Sequence, residues 1–138
     1  MIDETSEFGA RVARHLREEM VVWLTTVTPS GAPLPRPVGF VWDGADSVTM
    51  YSQRGARVRN IARNPRVTLN FAGDGEGGDI VVLAGTAEVD ESAPSAAEDP
   101  GYVAKYATQL RRVGMTPESF AQRFTVPVRI RIDDVYGR

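Results

Sequence analysis

The sequence predicts a mainly β (α+β) fold, in which a six-stranded antiparallel β-barrel carries peripheral helices. Three observations lead to this prediction. Alternating apolar runs are separated by hairpin-length turns, one short helical pattern lies inside the strand series, and longer helical patterns lie near both ends. The strands do not alternate regularly with helices, as they would in a parallel sheet. We expect residues 1–138 to form a single domain.

The N-terminal segment predicts a helix followed by the first strand. Phe8, Val12 and Leu16 lie on one helical stripe, and capping residues precede them. His15 lies beside that stripe. Because the chain has no second histidine and no cysteine, we expect His15 to be solvated or to cap the helix. Residues 21–28 are rich in β-formers and end at a Pro-Ser-Gly turn.

A proline-rich strand follows at residues 33–42. Its three prolines cannot donate to a β-ladder, so we expect this strand at a sheet edge or against a cofactor. Gly39 would let a planar group approach the backbone. The dipeptide Asp43-Gly44 predicts a hairpin into a further strand at residues 47–52.

Beyond the short helical pattern, two more strands are predicted. Residues 66–71 alternate, and residues 79–90 form a long strand in which Gly85 is a candidate bulge. The segment 73–78 between them matches G-x-G-x-x-G. A strand follows it where a dinucleotide site needs a helix, so we interpret it as a hairpin loop. Residues 91–99 are interpreted as a linker.

Two helices and a last strand complete the predicted elements. Tyr102 and Tyr106 repeat at helical spacing in a helix with a C-cap at Gly114, and a second helix begins near Thr116. We expect the tyrosines to be core residues rather than ligand contacts. Residues 126–132 alternate again and form the last strand.

The composition excludes several classes of site and partner. The chain contains no cysteine and one histidine, which excludes disulfides, thiolate metal sites and cysteine nucleophiles. Its net charge of −2 argues against a dedicated nucleic-acid binder. No apolar run approaches the ~20 residues of a membrane span, and the N-terminus does not resemble a signal peptide. We therefore expect a cytoplasmic protein whose partners include neither nucleic acid nor a membrane.

Residues 51–65 predict a phosphate-binding site at the start of a short helix. Tyr51 and Ser52 end a strand, Gly55 supplies a tight turn, and the helix begins at Ala56 and stops at an Asn-Pro pair. Free backbone N–H groups and the positive end of the helix dipole favour an anion there. Three side chains can add bidentate, charge-assisted hydrogen bonds, namely Arg54, Arg57 and Arg59.

A solvated helix face is the alternative interpretation of these arginines. Arg59, Arg63 and Arg66 recur at the spacing of the exposed side of any short helix. The spacing alone leaves both interpretations open. The local charge favours the anion site, because residues 54–66 contain five arginines and no acidic residue, whereas surface helices usually mix charges.

Three segments in register resemble the FMN-binding split-barrel superfamily, of which pyridoxamine-phosphate oxidases are typical. They run from Arg36 to Val41, from Tyr51 to Gln53 and from Arg57 to Val67. The sequence is most similar to the actinobacterial branch of PPOX-class F420-dependent enzymes. The similarity covers residues 21–90 and fades after Glu91, and it implies that the barrel is split.

The resemblance also implies a cofactor site, with no catalytic side chain and no metal site. The backbone of the proline-rich strand would line the tricyclic ring, and the next strand end and helix start would lie near the ribityl phosphate. The implied cofactor-binding residues are Arg36, Pro37, Val38, Gly39, Phe40, Val41, Tyr51, Ser52, Gln53, Ala56, Arg57, Arg59 and Asn60. Arg54 and Arg59 would contact the carboxylates of the polyglutamyl tail of coenzyme F420.

Three departures separate this chain from pyridoxamine-phosphate oxidases. Arg57 stands where many relatives have lysine, which changes a point cation into a planar fork. Ile80 lies near the position of the glutamine that FMN oxidases carry in the fifth strand. Residues 133–138 contain no counterpart of the arginine- and histidine-bearing segment that holds the vitamin substrate. We therefore do not expect this chain to use the vitamin substrate of pyridoxamine-phosphate oxidases.

The resemblance implies an oxidoreductase that transfers hydride from carbon 5 of reduced coenzyme F420 to an electron-poor small molecule. It also implies a homodimer whose cofactor sites lie at the subunit interface. Two alternatives stay open, an FMN-dependent oxidase or reductase of the same fold and a non-catalytic protein that binds a flavin or a tetrapyrrole. A nucleic-acid-binding barrel is disfavoured, because residues 54–66 lack interleaved aromatic residues that would stack on bases.

Overall fold

The computed structural model describes residues 2–138 as one sheet with surrounding helices. The helices are α1 (Glu7–Glu18), α2 (Ala56–Arg63), α3 (Pro100–Arg112) and α4 (Pro117–Arg123), with a short 3₁₀ helix at Ala96–Glu98. The strands are β1 (Val22–Val27), β2 (Pro33–Val38), β3 (Val41–Trp42), β4 (Ser47–Ser52), β5 (Arg66–Asn70), β6 (Val81–Val89) and β7 (Val126–Gly137). No helix in the described range has both the length and the apolar character needed to cross a membrane.

The strands form an antiparallel sheet with the order β2-β1-β5-β6-β7-β4-β3. Strands β2 and β3 stand at opposite ends of this order, although only Gly39 and Phe40 separate them in the chain. Such a short connection requires the sheet to curl until its two ends approach each other. The predicted split barrel is therefore confirmed. It has seven strands rather than six because the proline-rich run is interrupted at Gly39 and Phe40.

Strand β2 lies at an edge, as its prolines predicted. It pairs with β1 alone, so its other edge has no ladder partner in the described chain. Its three prolines are exposed. Proline is tolerated at such an edge because it has no N–H group to donate to a neighbouring strand.

The inside of the barrel is filled by the inward-facing side chains of the alternating strands. On β7, the apolar residues from Val126 to Ile132 are at most 2% exposed, whereas the two arginines between them face solvent. Helix α1 buries Val12 and Leu16 in the same core, as their spacing predicted. Burying an aliphatic side chain of this size contributes roughly 1.5–3 kcal/mol.

A second apolar cluster lies under α3 and α4. Its buried members are Tyr51, Ala96, Tyr102, Tyr106 and Leu110. Residues 91–99 are therefore an ordered part of the fold, and their interpretation as a linker is wrong. Ala96 is 2% exposed, and the Tyr51 hydroxyl oxygen lies 3.1 Å from the Pro94 carbonyl oxygen. Small and polar residues suggested flexibility, but tertiary contacts hold this segment in place.

Tyr106 holds the connection between β2 and β3. Its hydroxyl accepts a hydrogen bond from the Phe40 N–H at 2.7 Å and donates to the Met20 carbonyl at 2.8 Å. Lys105 Nζ donates to the Phe40 carbonyl at 2.9 Å and lies 3.6 Å from the centre of the Phe40 ring. Burial raises the pKa of Tyr106 to about 12 and lowers the pKa of Lys105 to about 8. These contacts hold α3 against the point at which the barrel is split.

The hairpin of β5 and β6 agrees with the sequence, whereas β7 is longer than predicted. Residues 73–78 connect the neighbouring strands β5 and β6 as a hairpin loop. The expected bulge is present, because the register of β6 against β7 shifts between Ala84 and Gly85. Strand β7 continues to Gly137 rather than ending at Ile132, since its C-terminal part pairs with the first half of β6.

His15 is buried, so the prediction that it is solvated or caps a helix is wrong. Its ring stacks on Phe71 with centroids 5.0 Å apart, and Nε2 lies 2.9 and 3.0 Å from the two carboxylate oxygens of Asp79. Arg11 donates to the same carboxylate at 2.9 Å, and Glu19 lies 3.3 Å from the other ring nitrogen. Asp79 is distant in sequence, so no local pattern could reveal this pair.

Gly85→Ala is expected to lower the free energy of unfolding by about 1–3 kcal/mol. The added Cβ would lie 2.8 Å from the Arg131 carbonyl oxygen and 2.8 Å from Ile130 Cγ2, and a rotamer change cannot relieve the backbone contact. Chemical denaturation measures the difference. Gly55→Ala is the matched control, because no atom lies within 4 Å of its Cβ position and its backbone is extended. Equal losses in the two variants would contradict the packing argument.

Asp79→Asn is expected to reduce stability at neutral pH by about 1 kcal/mol or less, because the carboxylate is partly exposed. Hydrogen bonds from His15 and then from Arg11 lower the pKa of Asp79. A carboxyl with a lowered folded-state pKa stabilises the fold above its unfolded pKa, and this contribution disappears as the pH falls through the folded value. Urea denaturation at a series of pH values should therefore show the variant converging on wild type in acid. A difference that stays constant to low pH, or that Asp134→Asn reproduces, would contradict this account.

Candidate functional site

Two clefts meet at Arg57 and Phe124. The first, the basic cleft, has a volume of about 260 Å³ and is lined by Leu34, Arg36, Ser52, Gln53, Arg54, Gly55, Ala56, Arg57 and Phe124. The second, the aromatic cleft, has a volume of about 350 Å³ and lies between the end of β2 and helices α3 and α4. It is lined by Met20, Val21, Pro37, Val38, Gly39, Tyr51, Arg57, Tyr102, Tyr106, Gln109, Leu110, Phe120 and Phe124. Most of the sequence-predicted cofactor residues line one of the two clefts.

The basic cleft is built around the first turn of α2. Gly55 occupies the N-cap position but has no side chain to cap the helix, and the first backbone hydrogen bond runs from the Arg59 N–H to the Gly55 carbonyl. The N–H groups of residues 56–58 therefore have no partner within the helix. The chain bends at residues 54 and 55, between β4 and α2, but Gly55 has φ 167° and ψ −158°, so this turn uses extended rather than left-handed backbone at the glycine. The first turn also contains no acidic residue, which leaves the positive end of the helix open to an anion.

Arg36 and Arg57 place two positive charges in the basic cleft with no carboxylate to balance them. Half-buried Arg57 donates from Nη1 to Ser52 Oγ at 3.2 Å, and no acidic side chain lines the cleft. Burial lowers the pKa of Arg57, and the charge of Arg36 lowers it further. Exposed Arg54 lies 4.0 Å from Glu91, too far for a strong pair. A bound anion would compensate both the lost solvation of Arg57 and its repulsion from Arg36, so these residues fit a phosphate.

Aromatic rings form the α3 wall of the aromatic cleft. Tyr102 and Tyr106 have ring centroids 4.6 Å apart, and Tyr102 meets Tyr51 edge-on at 4.9 Å. Gly39 leaves room for the two α3 hydroxyls, which lie 3.1 and 3.2 Å from the position that a Cβ would occupy. Both α3 tyrosines are buried and both line the cleft, so they belong to the core and also face a possible ligand.

Tyr51 connects the aromatic cleft to the ordered segment before α3 through a hydrogen bond. Its hydroxyl donates to Asp99 Oδ2 at 2.9 Å, and Asp99 Oδ1 accepts from the Tyr102 N–H at 3.1 Å, which caps α3. Burial raises the pKa of Tyr51, and the hydrogen bond to Asp99 raises it further. The phenol therefore stays protonated across the physiological range, and Tyr51 supports the cleft rather than transferring protons.

Four sequence-predicted residues lie outside the two clefts. Phe40 is 2% exposed in the barrel core, and Asn60 is buried, where its amide donates to Thr26 Oγ1 at 3.2 Å. Val41 lines a neighbouring hollow between α1 and α3. Arg59 is exposed on α2 and lines neither cleft.

Helices α3 and α4 contribute residues to this site that were not predicted from the sequence. Gln109, Phe120 and Phe124 line the aromatic cleft in addition to the α3 tyrosines. The i, i+4, i+7 spacing of Tyr102, Tyr106 and Gln109 places them on one helix face, but nothing in the sequence says that this face meets β2. Among residues 2–138, no group of three or more histidine and carboxylate side chains is arranged to hold a metal ion.

Solved structures share this fold at low sequence identity. A FAD-binding protein from Mesorhizobium loti gives a TM-score of 0.63 at 18% identity, over 91% of this chain and 88% of that one. An F420 reductase gives a TM-score of 0.62 at 22% identity, over 89% of this chain and 94% of that one. The heme storage protein HutZ from Vibrio cholerae gives a TM-score of 0.61 at 18% identity, over 94% and 92%. At these identities the likeness shows the fold alone.

A family model covers almost the whole chain. No curated protein sequence gives a match. The model of the pyridoxamine 5'-phosphate oxidase family matches residues 8–136, a range that includes every residue of both clefts. The chain therefore belongs to the pyridoxamine 5'-phosphate oxidase family.

Proposed function

We propose that the protein is a reductase that transfers hydride from reduced coenzyme F420 to an electron-poor small molecule. The observation that carries this proposal is the pair of Arg36 and Arg57 at the uncapped start of α2. None of the described residues that line their cleft is acidic, and this basic cleft adjoins the aromatic cleft. A bound reduced deazaflavin supplies the hydride from carbon 5 of its ring. The chain binds this cofactor, orients it and excludes water.

The basic cleft holds the phosphate of the cofactor in this proposal. Arg57 offers a planar fork to two phosphate oxygens, and its hydrogen bond to Ser52 orients the guanidinium. The N–H groups of residues 56–58 add donors at the positive end of the helix dipole. Each charge-assisted hydrogen bond contributes about 1.5–3 kcal/mol. The lowered pKa of Arg57 supports this role, because the charge of a bound anion offsets the effects of burial and of Arg36 that lower it.

The aromatic cleft holds the ring system. Its volume of about 350 Å³ and its apolar walls suit a flat heterocycle, with Val38 and Gly39 on the β2 side and the tyrosines on the α3 side. Burial raises the pKa values of Tyr102 and Tyr106, so both hydroxyls stay protonated. Exclusion of water protects the hydride during its transfer.

Two observations favour the deazaflavin over FMN. Exposed Arg54 at the basic cleft and exposed Arg59 further along α2 provide cations beyond those that one phosphate requires. A polyglutamyl tail carries the carboxylates to meet them. An F420 reductase is also among the proteins that share this fold. FMN bound in the same two clefts is the closest alternative.

A homodimer completes this proposal. Within residues 2–138, strand β2 leaves one edge unpaired, and the nearby side chains of Val21 and Trp23 are 48% and 40% exposed. Because Val21 also lines the aromatic cleft, a second subunit on this surface would approach the ring.

Sedimentation velocity should give twice the chain mass of 15.1 kDa, and a monomer would contradict the dimer.

A non-catalytic tetrapyrrole carrier is the second candidate, because a heme storage protein shares the fold. The single histidine gives it no support. His15 is buried against Phe71, bonded to Asp79 and absent from the lining of both clefts, so it is not available there as an iron ligand.

Arg57→Ala is expected to weaken F420 binding by about 10- to 100-fold, because it removes the half-buried member of the arginine pair. Titration of the purified protein, followed by the fluorescence of Trp23 and Trp42, measures the dissociation constant. Arg63→Ala is the matched control, since Arg63 is an exposed arginine of the same helix that lines neither cleft. If the Arg57 variant keeps wild-type affinity, the anion site is wrongly assigned.

Single-turnover oxidation of reduced F420 tests the proposed function. We expect the oxidised absorbance to return only when the protein and a suitable acceptor are both present, across a panel of quinones, enones and biliverdin. A parallel titration with FMN separates the flavin alternative. Tight F420 binding without oxidation by any acceptor would instead support a carrier, and tighter FMN binding would support the flavin enzyme.

A further inference from the structure

A residue that lines the aromatic cleft has one buried polar atom without a partner. Among residues 2–138, Gln109 Oε1 is a buried side-chain acceptor without a hydrogen bond. Such an atom gives up its bonds to water and gains no donor, which is unfavourable and rare in native structures. Because Gln109 lines the aromatic cleft, a ligand there is in a position to supply the missing donor.

The contacts that hold α3 in place leave the Gln109 amide oxygen unused. Tyr102, Tyr106 and Gln109 lie on one face of α3. The Tyr106 hydroxyl is occupied by the Phe40 N–H and the Met20 carbonyl, and these bonds position the helix. Gln109 lies about one turn further along the same face, so a rigid element holds this side chain at the wall of the cleft.

We propose that Gln109 binds the imide edge of the flavin or deazaflavin ring by accepting a hydrogen bond from the ring N–H that lies between two carbonyls. This inference rests on the proposed function in one respect, that the ring occupies the aromatic cleft. A carboxamide is complementary to an imide, because its oxygen accepts from the N–H while its NH₂ group can donate to a neighbouring carbonyl.

The surroundings of Gln109 favour this class of ligand. Leu110, Phe120 and Phe124 contribute apolar surface to the same cleft. A flat ligand with one polar edge satisfies both the apolar walls and the unpaired acceptor, whereas a ligand with hydroxyl groups on all sides would leave donors unpaired. The basic cleft adjoins at Arg57, so an anionic tail held there leads the ring into this cleft.

A comparison of lumiflavin with 3-methyllumiflavin tests the proposal. The methyl group removes the imide N–H, and neither compound carries a phosphate. We expect wild-type protein to bind lumiflavin about 3- to 10-fold more tightly than the methylated compound. Gln109→Leu should reduce this ratio to the part that the steric effect of the methyl group causes. Titration of both proteins with both compounds forms a double-mutant cycle, in which the steric effect of the methyl group cancels.

Two further variants serve as controls. Gln122→Leu removes an exposed glutamine from α4 that lines neither cleft, and it should keep the wild-type ratio. Gln109→Met repeats the test with an unbranched side chain if Gln109→Leu fails to fold, as judged by thermal unfolding. The ratio of the two dissociation constants of wild type can be measured even if neither Gln109 variant folds.

The outcomes separate this inference from the proposed function. Equal affinity of wild type for the two lumiflavins overturns the role of Gln109, as does a ratio that persists in Gln109→Leu or an absence of lumiflavin binding. If the ratio collapses in Gln109→Leu but reduced F420 is not oxidised, the imide contact stands and the reductase proposal fails. If reduced F420 is oxidised but wild type binds the two lumiflavins equally, the reductase proposal stands and the role of Gln109 fails.

Discussion

The two-residue connection between β2 and β3 is the constraint on which the rest of the structure depends. These strands end the sheet on opposite sides, yet the chain between Val38 and Val41 can span no more than about 11 Å. The sheet must therefore curl, and the Phe40 backbone at the junction needs partners that no neighbouring strand provides. Tyr106 and Lys105 of α3 provide them. Closure of the barrel and placement of α3 are thus achieved by the same contacts.

The two clefts follow from this arrangement. Because α3 lies against Gly39, its aromatic face covers the end of β2. Strand β4 ends at Ser52 and leads into α2, whose uncapped first turn contains Arg57 and borders the same cleft as Arg36. An apolar slot therefore borders an unbalanced pair of guanidinium groups. This combination suits a flat cofactor with an anionic tail, and the cofactor rather than a set of catalytic side chains then supplies the chemistry.

The sequence was most informative where a feature depends on neighbouring residues. Alternation located the strands, the Asn-Pro pair marked the end of α2, and Gly85 marked the bulge. The basic cleft was largely predictable, because residues 52–57 supply most of it. The aromatic cleft was only half predictable, since α3 and α4 reach β2 through tertiary contacts alone. The pairing of His15 with Asp79 was missed for the same reason.

A crystal structure of the protein with bound F420 tests the central claim most directly. The account predicts phosphate oxygens within about 3.2 Å of the Arg57 guanidinium and of backbone N–H groups in the first turn of α2. It also predicts the ring in the aromatic cleft beside Val38 and Gly39. A phosphate bound away from α2, or a ring outside the cleft with Arg57 turned toward bulk solvent, would contradict the account.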